Sequence, residues 1–152
     1  MANICFVSLK IECRSKRAAI KVNAALTQLK EAADQPRKGF YAGSDRYIFD
    51  ANFYAYEKSV RIAYWVKWGC QDAEVIALIK FLNEIAPIKS LLLRYEEGGS
   101  LEYGEYIYSD GTLSCRELPV SHYPDATDSD SDQEYLQQAF ERYGTKRLIP
   151  FS

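Results

Sequence analysis

The sequence predicts an α+β fold, and three observations lead to this class. The chain has 152 residues, which is the length of one ordinary domain. Segments in which apolar and polar residues alternate are interspersed with segments in which apolar residues recur every three or four positions. Aromatic residues make up 14% of the chain, and aromatic side chains suit the pleated surface of a strand. Together these features favour a sheet covered by helices.

The first strand and the first helix have clear patterns. Every second residue is apolar over residues 3–12, which predicts a strand with one buried face. Ser15 has the chemistry of a helix N-cap, and apolar residues at helical spacing predict a helix over 16–33. Pro36 and Gly39 end this helix and begin a loop.

The middle of the chain predicts a hairpin, a second helix and further strands. Residues 47–56 and 60–68 alternate and are joined by a short turn, as in a β-hairpin. Asp72 can cap a second helix, which Pro87 ends. Further strands are predicted at about 91–95, 101–108 and 112–118, with a tight turn at Asp110-Gly111 between the last two.

Strand, helix, strand, strand, helix, strand is the split βαβ order of a ferredoxin-like sandwich, in which both helices cover one sheet face. We expect residues 1–118 to form this domain, with an added C-terminal β-hairpin beyond the fourth strand. An acidic linker is predicted at 119–132, and a short terminal helix with a tail at 133–152. The apolar stripe of that helix is expected to dock on the outward sheet face around Phe6 and Trp65, which would otherwise be bare.

Three motifs carry a resemblance to the YubB-like ferredoxin-like family of small bacterial proteins. They are Asn3-Ile4-Cys5 at the first strand, the stretch Trp65 to Cys70, and Tyr95-Glu96-Glu97-Gly98 followed by Gly104 and Asp110-Gly111. The resemblance covers residues 1–118 and departs from the family pattern at Ile4 and at Gly69-Cys70. It implies the ferredoxin-like fold and a gene on a plasmid, phage or genomic island. The family has no agreed biochemical activity.

Charge and cysteine content narrow the class of protein. The net charge is −2 and the pI is about 5.5, which argues against general binding to DNA or to a membrane surface. The four cysteines form no C-x-x-C pair and match no zinc template, so we expect reduced thiols in a cytoplasmic protein. The N-terminus does not resemble a signal peptide, and no apolar stretch approaches the roughly 20 residues that span a bilayer.

The residues with catalytic or metal-binding chemistry form no complete site. His122 is the one histidine, and no nucleophile motif accompanies it. Acidic residues of the linker alternate but lack the glycine and glutamate that a calcium loop requires. We therefore predict no catalytic residue, no metal and no cofactor. One alternative is a metal-dependent enzyme that uses the hairpin carboxylates Glu96, Glu97, Glu102 and Glu105, although the sequence favours a solvated hairpin, because charged residues usually mark an exposed face.

Two surfaces are candidate binding sites. The outward face of the first and third strands combines aromatic and basic residues, namely Phe6, Lys10, Arg61, Trp65 and Lys67. A basic helix patch lies at the start of the first helix and consists of Arg14, Lys16, Arg17 and Lys21.

These observations favour a non-enzymatic protein-interaction module encoded by a plasmid, phage or genomic island. An antagonist of a host protein is one form that such a module takes. The partner is expected to be a protein of unknown identity, with a second copy of the chain as one candidate, and no membrane is involved. The alternative is a nucleic-acid-binding domain that stacks bases on the open sheet face, as RNA-recognition domains do.

Overall fold

The described part of the chain is an α+β fold with three helices and one seven-stranded antiparallel sheet, as the sequence predicts for the class. A computed structural model describes residues 4–32, 48–67, 72–97, 102–118 and 130–150. The elements in chain order are β1 Ile4–Cys13, α1 Lys16–Ala32, β2 Ile48–Tyr56, β3 Ser59–Lys67, α2 Asp72–Ile85, β4 Ile88–Glu97, β5 Glu102–Ser109, β6 Thr112–Glu117, α3 Asp130–Tyr143 and β7 Thr145–Ile149.

The sheet has the strand order β2-β3-β1-β4-β5-β6-β7, and all its pairs are antiparallel. Helices α1 and α2 bury their apolar stripes against one face, where they form a single core with alternate residues of the strands. Val7, Leu9 and Ile11 of β1 are almost completely buried there. The hairpin of β5 and β6 extends the sheet beyond β4, as expected.

Local capping contacts explain where the helices begin and end. The backbone N–H of Ala18 donates to Ser15 Oγ over 3.0 Å, which confirms Ser15 as the N-cap of α1. After α2 ends, the N–H of Ile88 donates to Asn83 Oδ1 over 3.0 Å and fixes the start of β4. Pro87, between them, cannot continue the helix.

The C-terminal region differs from the prediction in two respects. Helix α3 begins at Asp130, inside the segment 119–132 predicted as a linker. Acidic residues are favourable at a helix N-terminus, because the helix dipole is positive there. The predicted tail contains a further strand, β7, which pairs with β6 and forms one edge of the sheet. The rest of the predicted linker lies outside the described residues.

Helix α3 packs on the sheet face opposite α1 and α2. Arg94 and Glu105 alternate with core residues of their strands, so their side chains lie on this second face. The guanidinium of Arg94 lies 5.9 Å from the ring centroid of Phe140 in α3. The buried residues of the helix contact the end of β6 and the start of β5, and this second cluster comprises Leu118, Leu136, Ala139, Phe140 and the half-buried Tyr103.

The docking position of α3 corrects one sequence expectation. The helix lies on the outward sheet face, as predicted, but it packs over β4 to β6 rather than around Phe6 and Trp65 on β1 and β3. The reason is β7, which follows α3 directly and pairs with β6, so the helix is held beside that part of the sheet.

Two hairpin turns contain residues with positive φ, and they respond oppositely to substitution. Gly111 has φ +77° and Asp110 has φ +51°, whereas Glu57 adopts φ +54° without being glycine. We expect Glu57→Gly to raise the free energy of unfolding by about 0.5 kcal/mol, because it relieves left-handed strain. Gly111→Ala is expected to lower it by about 1 kcal/mol for the converse reason. Urea denaturation measures both, and shifts in the same direction would contradict this account.

Candidate functional site

The pairing of β1 with β3 places predicted open-face residues directly opposite one another. Phe6 lies opposite Trp65, and Lys10 lies opposite Arg61, across the β1–β3 pair. Phe6 is half-buried, whereas Lys10 and Arg61 are exposed. The side chains of Trp65 and Lys67 lie outside the described part of the structure.

Two exposed tyrosines on β2 lie next to these residues, and neither was among the binding residues predicted from the sequence. Tyr54 lies opposite Arg61, and Tyr56 lies opposite Ser59. The tyrosine side chains are 59% and 64% exposed, and their rings are nearly parallel, with centroids 6.5 Å apart. With Ser59 and Arg61 they line a cleft of about 290 Å³. We call Tyr54, Tyr56, Ser59, Arg61 and Lys10 the open-face patch.

The open-face patch is positively charged, although one carboxylate offsets part of the charge. Lys10 Nζ lies 3.3 Å from Glu12 Oε1, and Ser59 Oγ donates to the same oxygen over 2.7 Å. The Ser59 hydrogen bond and the nearby Lys10 lower the pKa of Glu12, so this carboxylate is ionised at neutral pH. Lys10 still stands directly opposite Arg61, and like charges in that position repel.

The basic helix patch continues this positive surface around one end of the sheet. The backbone N–H of Cys13 donates to the carbonyl of Lys58 over 2.7 Å, and Cys13 pairs with Ile88 of β4. Arg14, Lys58 and Lys89 are each no more than one residue from these contacts, and all three are exposed. We call this region the basic corner, and its exposed cations are Lys10, Arg14, Lys16, Arg17, Lys21, Lys58, Arg61 and Lys89.

The strand pairing therefore places Arg14 of the basic helix patch at the same end of the β1–β3 pair as Lys10 and Arg61. Glu12 and Glu57 contribute acidic charge to the basic corner. Lys58 and Lys89 were missed in the sequence because they lie far from α1 along the chain, and strand pairing alone reveals their proximity.

Glu105 corrects the expectation of a solvated acidic hairpin. Its side chain is completely buried on the second face and accepts hydrogen bonds from Arg94 Nε at 3.0 Å and Arg116 Nε at 2.6 Å. A further guanidinium nitrogen of Arg94 donates to Gln137 of α3. The carboxylate is thus neutralised between two arginines beneath a helix, which is a structural arrangement rather than an open metal site. The side chains of Glu97 and Glu102 lie outside the described residues.

A second polar cluster joins α2 to the far edge of the sheet. Asp72 accepts a bidentate pair from Arg147 of β7, at 2.7 and 2.8 Å, and a hydrogen bond from the Tyr106 hydroxyl at 2.8 Å. The hydrogen bonds from Arg147 lower the pKa of Asp72, whereas burial raises the pKa of Tyr106. Both carboxylate oxygens of Asp72 accept hydrogen bonds, so this cluster links β7 to the start of α2.

The two described free cysteines, Cys13 and Cys115, are not suited to act as nucleophiles. Cys115 lies opposite Arg147 and is buried, and burial raises the pKa of its thiol to about 11. Cys13 is also a buried free thiol with a raised pKa, for the same reason. Both are protonated at neutral pH, and a protonated thiol is a poor nucleophile.

The Asp72 cluster predicts a specific acid sensitivity. Asp72 has a folded-state pKa below its unfolded value of about 3.9, so its contribution is complete above that pH and is lost as the pH falls through the folded pKa. We expect the melting temperature of the wild type to fall more steeply below about pH 4 than that of Asp72→Asn. The side chain is 38% exposed, so the difference in stability is expected to be below about 1 kcal/mol. Parallel pH profiles of the two proteins would contradict this prediction.

The described residues contain neither a metal-ligand cluster nor a membrane-spanning helix. Within the described ranges, no three His, Cys, Asp or Glu side chains lie together as metal ligands would. No described helix combines the length and the apolarity needed to cross a membrane. His122 lies outside the described residues. Comparison of the chain with known protein families, with curated proteins and with solved structures finds no match.

Proposed function

We propose that this chain is a non-enzymatic protein-interaction module of the cytoplasm, built on a ferredoxin-like core. The strand order β2-β3-β1-β4, with α1 and α2 on one face, supports the core assignment. One observation carries the functional part of the proposal: the open-face patch presents two exposed tyrosines beside an arginine. Tyr and Arg, together with Trp, are enriched among the energetic hot spots of protein interfaces.

The positions of the three helices on the sheet support the open-face patch as the binding site. Helices α1 and α2 occupy one face, and α3 covers β4 to β6 on the other. The patch lies on the remaining strands of that second face. Glu12 neutralises only one of the two facing cations, Lys10 and Arg61, so an anionic partner group placed over the pair would reduce the repulsion that remains.

A matched pair of double variants tests the proposed site. Tyr54→Ala with Tyr56→Ala removes the patch tyrosines, whereas Tyr135→Ala with Tyr143→Ala removes two exposed tyrosines of α3. Affinity capture from host lysate should recover a protein that the first double variant loses and the second retains, because hot-spot truncation costs about 2 kcal/mol or more. Recovery of no partner, or equal recovery by both variants, would contradict the proposal.

A second candidate function is single-stranded nucleic-acid binding at the same patch. The parallel rings of Tyr54 and Tyr56, with Arg61 and Lys10 beside them, are a specific observation in its favour, since bases stack on aromatic side chains next to cations. Fluorescence titration with an oligothymidylate at low salt tests it. Quenching that the Tyr54→Ala, Tyr56→Ala variant abolishes would support this candidate, and the absence of quenching would exclude it.

The resemblance to the YubB-like family adds a genetic context to the proposal. It implies a gene on a plasmid, phage or genomic island, and an antagonist of a host protein is one form that such a module takes. The neighbouring genes on the source DNA test this part directly. A setting among conserved housekeeping genes would contradict it.

A further inference from the structure

The two edges of the sheet differ in a way that indicates how a partner binds. Strand β7 has five residues and exposes Lys146 and Arg147, so it is short and charged, as protected edge strands usually are. Strand β2 has nine residues, IFDANFYAY, with one charged side chain, Asp50, and its register with β3 shifts between Phe49 and Asn52. From Asn52 to Tyr56 the pairing is regular, and a regular edge rich in aromatic residues is a template for another strand unless something covers it. No described strand pairs with the outer side of β2.

We propose that an extended acidic segment of the partner protein adds to β2 as an eighth strand. This inference rests on the proposed function and specifies how the partner is recognised. Main-chain hydrogen bonds supply affinity in this mode of binding, and alternate side chains supply specificity.

The hairpin register identifies the backbone groups that are available. Tyr56 and Ser59 flank the two-residue turn, so they form a hydrogen-bonded pair, and the alternation makes Tyr54 and Arg61 the next such pair. Ala55 lies between these pairs, opposite Val60, and its N–H and C=O point away from β3. The same holds for Phe53, opposite Ile62. These two residues offer donors and acceptors to an added strand.

Charge complementarity makes the added segment acidic. A strand beside β2 lies two strand spacings, or about 10 Å, from β3, a distance that Arg and Glu side chains together can span. Carboxylates on its second-face positions therefore reach Arg61 and pass over Tyr54. At the turn end, Lys58 and the rest of the basic corner extend the same attraction, which acts over about 8 Å at physiological salt.

Residue-resolved amide hydrogen exchange on the full chain tests strand addition. The probe is a nine-residue peptide of alternating Glu and Val, long enough to pair with the regular part of β2 from Asn52 to Tyr56, and its control replaces every Glu with Lys. The Glu–Val peptide should slow exchange at Phe53 and Ala55 by about tenfold or more, because these amides gain a partner. Tyr54 and Tyr56 should change little, since their amides already bond to β3.

Two charge-reversal variants supply the specificity control. Arg61→Glu should weaken binding of the Glu–Val peptide by about tenfold, whereas Lys146→Glu on the other sheet edge should leave it unchanged. Failure of the peptide to bind, binding without protection of Phe53 and Ala55, or equal binding of the Lys–Val peptide would each overturn strand addition. Tighter binding of an oligothymidylate would overturn it in favour of base stacking.

The two proposals fail separately. A captured protein that requires Tyr54 and Tyr56, but leaves exchange at Ala55 unchanged, would preserve the proposed function and overturn strand addition. If the Glu–Val peptide protects Ala55, but the captured protein binds equally well to the variant without Tyr54 and Tyr56, strand addition would be preserved and the proposed function overturned.

Discussion

Glu105→Ala is expected to lower the free energy of unfolding by about 3 kcal/mol, because it leaves two largely buried arginines without their common carboxylate. The Arg94 and Arg116 side chains are 13% and 18% exposed, so water cannot easily replace Glu105. Arg94 also bonds to Gln137, and its displacement would loosen α3. Chemical denaturation measures the loss.

Two further variants show whether the loss comes from the unpaired buried arginines rather than from removing a glutamate as such. Glu117→Ala removes an exposed glutamate from the neighbouring strand and should change stability by less than about 0.5 kcal/mol. Replacing the whole cluster, with Arg94→Met, Glu105→Leu and Arg116→Met together, should recover most of the loss, since apolar side chains leave no unpaired charge. If Glu105→Ala behaves like Glu117→Ala, the arginines find solvent easily and the cluster is not a structural centre.

Phe140→Ala is expected to lower the free energy of unfolding by about 3 kcal/mol or more, the usual cost of truncating a buried phenylalanine. Its side chain is 1% exposed and packs against Leu118, with Arg94 over its ring. The cavity would open beneath α3, where few other apolar groups could fill it. Thermal and urea unfolding both report the change.

Tyr143→Ala provides the control on the same helix. Tyr143 is 43% exposed, so its truncation should cost much less than that of Phe140. Hydrogen exchange adds a local test, because Phe140→Ala should accelerate amide exchange in α3 more than in β1. Equal stability of the two variants would show that α3 contributes little to the fold.

Alternation and helical spacing predicted most of the elements, and the exceptions have physical causes. β1, α1 and α2 bury one apolar stripe each, and such stripes are visible in the sequence. Strand β7 buries only Ile149 of its five residues, so it has no pattern to detect. The helix α3 is predicted by its stripe, but its acidic first turn resembles a linker in composition.

The candidate site was less predictable, because strand pairing assembles it. Alternation along β1 and β3 predicted that Lys10 and Arg61 lie on the outward face of the sheet. The strand register adds that the two residues are direct cross-strand neighbours. Tyr54 and Tyr56 could have been found by continuing the hairpin register one strand further. The burial of Glu105 was not found, since alternation marks a polar residue as solvent-facing and the terminal helix was expected over Phe6 and Trp65 rather than over β4 to β6.

The ion pair between Asp72 and Arg147 spans 75 positions of the chain and has a consequence during synthesis. The ribosome delivers β1 to β6 before it delivers α3 and β7. At roughly 5 to 20 residues per second, the interval from Leu118 to Pro150 lasts on the order of two to six seconds. During that interval β6 is an edge strand, Arg94 is uncovered until Phe140 is synthesised, and Asp72 has no ion-pair partner until Arg147 follows. The nascent protein is therefore expected to be most vulnerable to misassociation and to chaperone capture in those seconds, and the last strand ends that period.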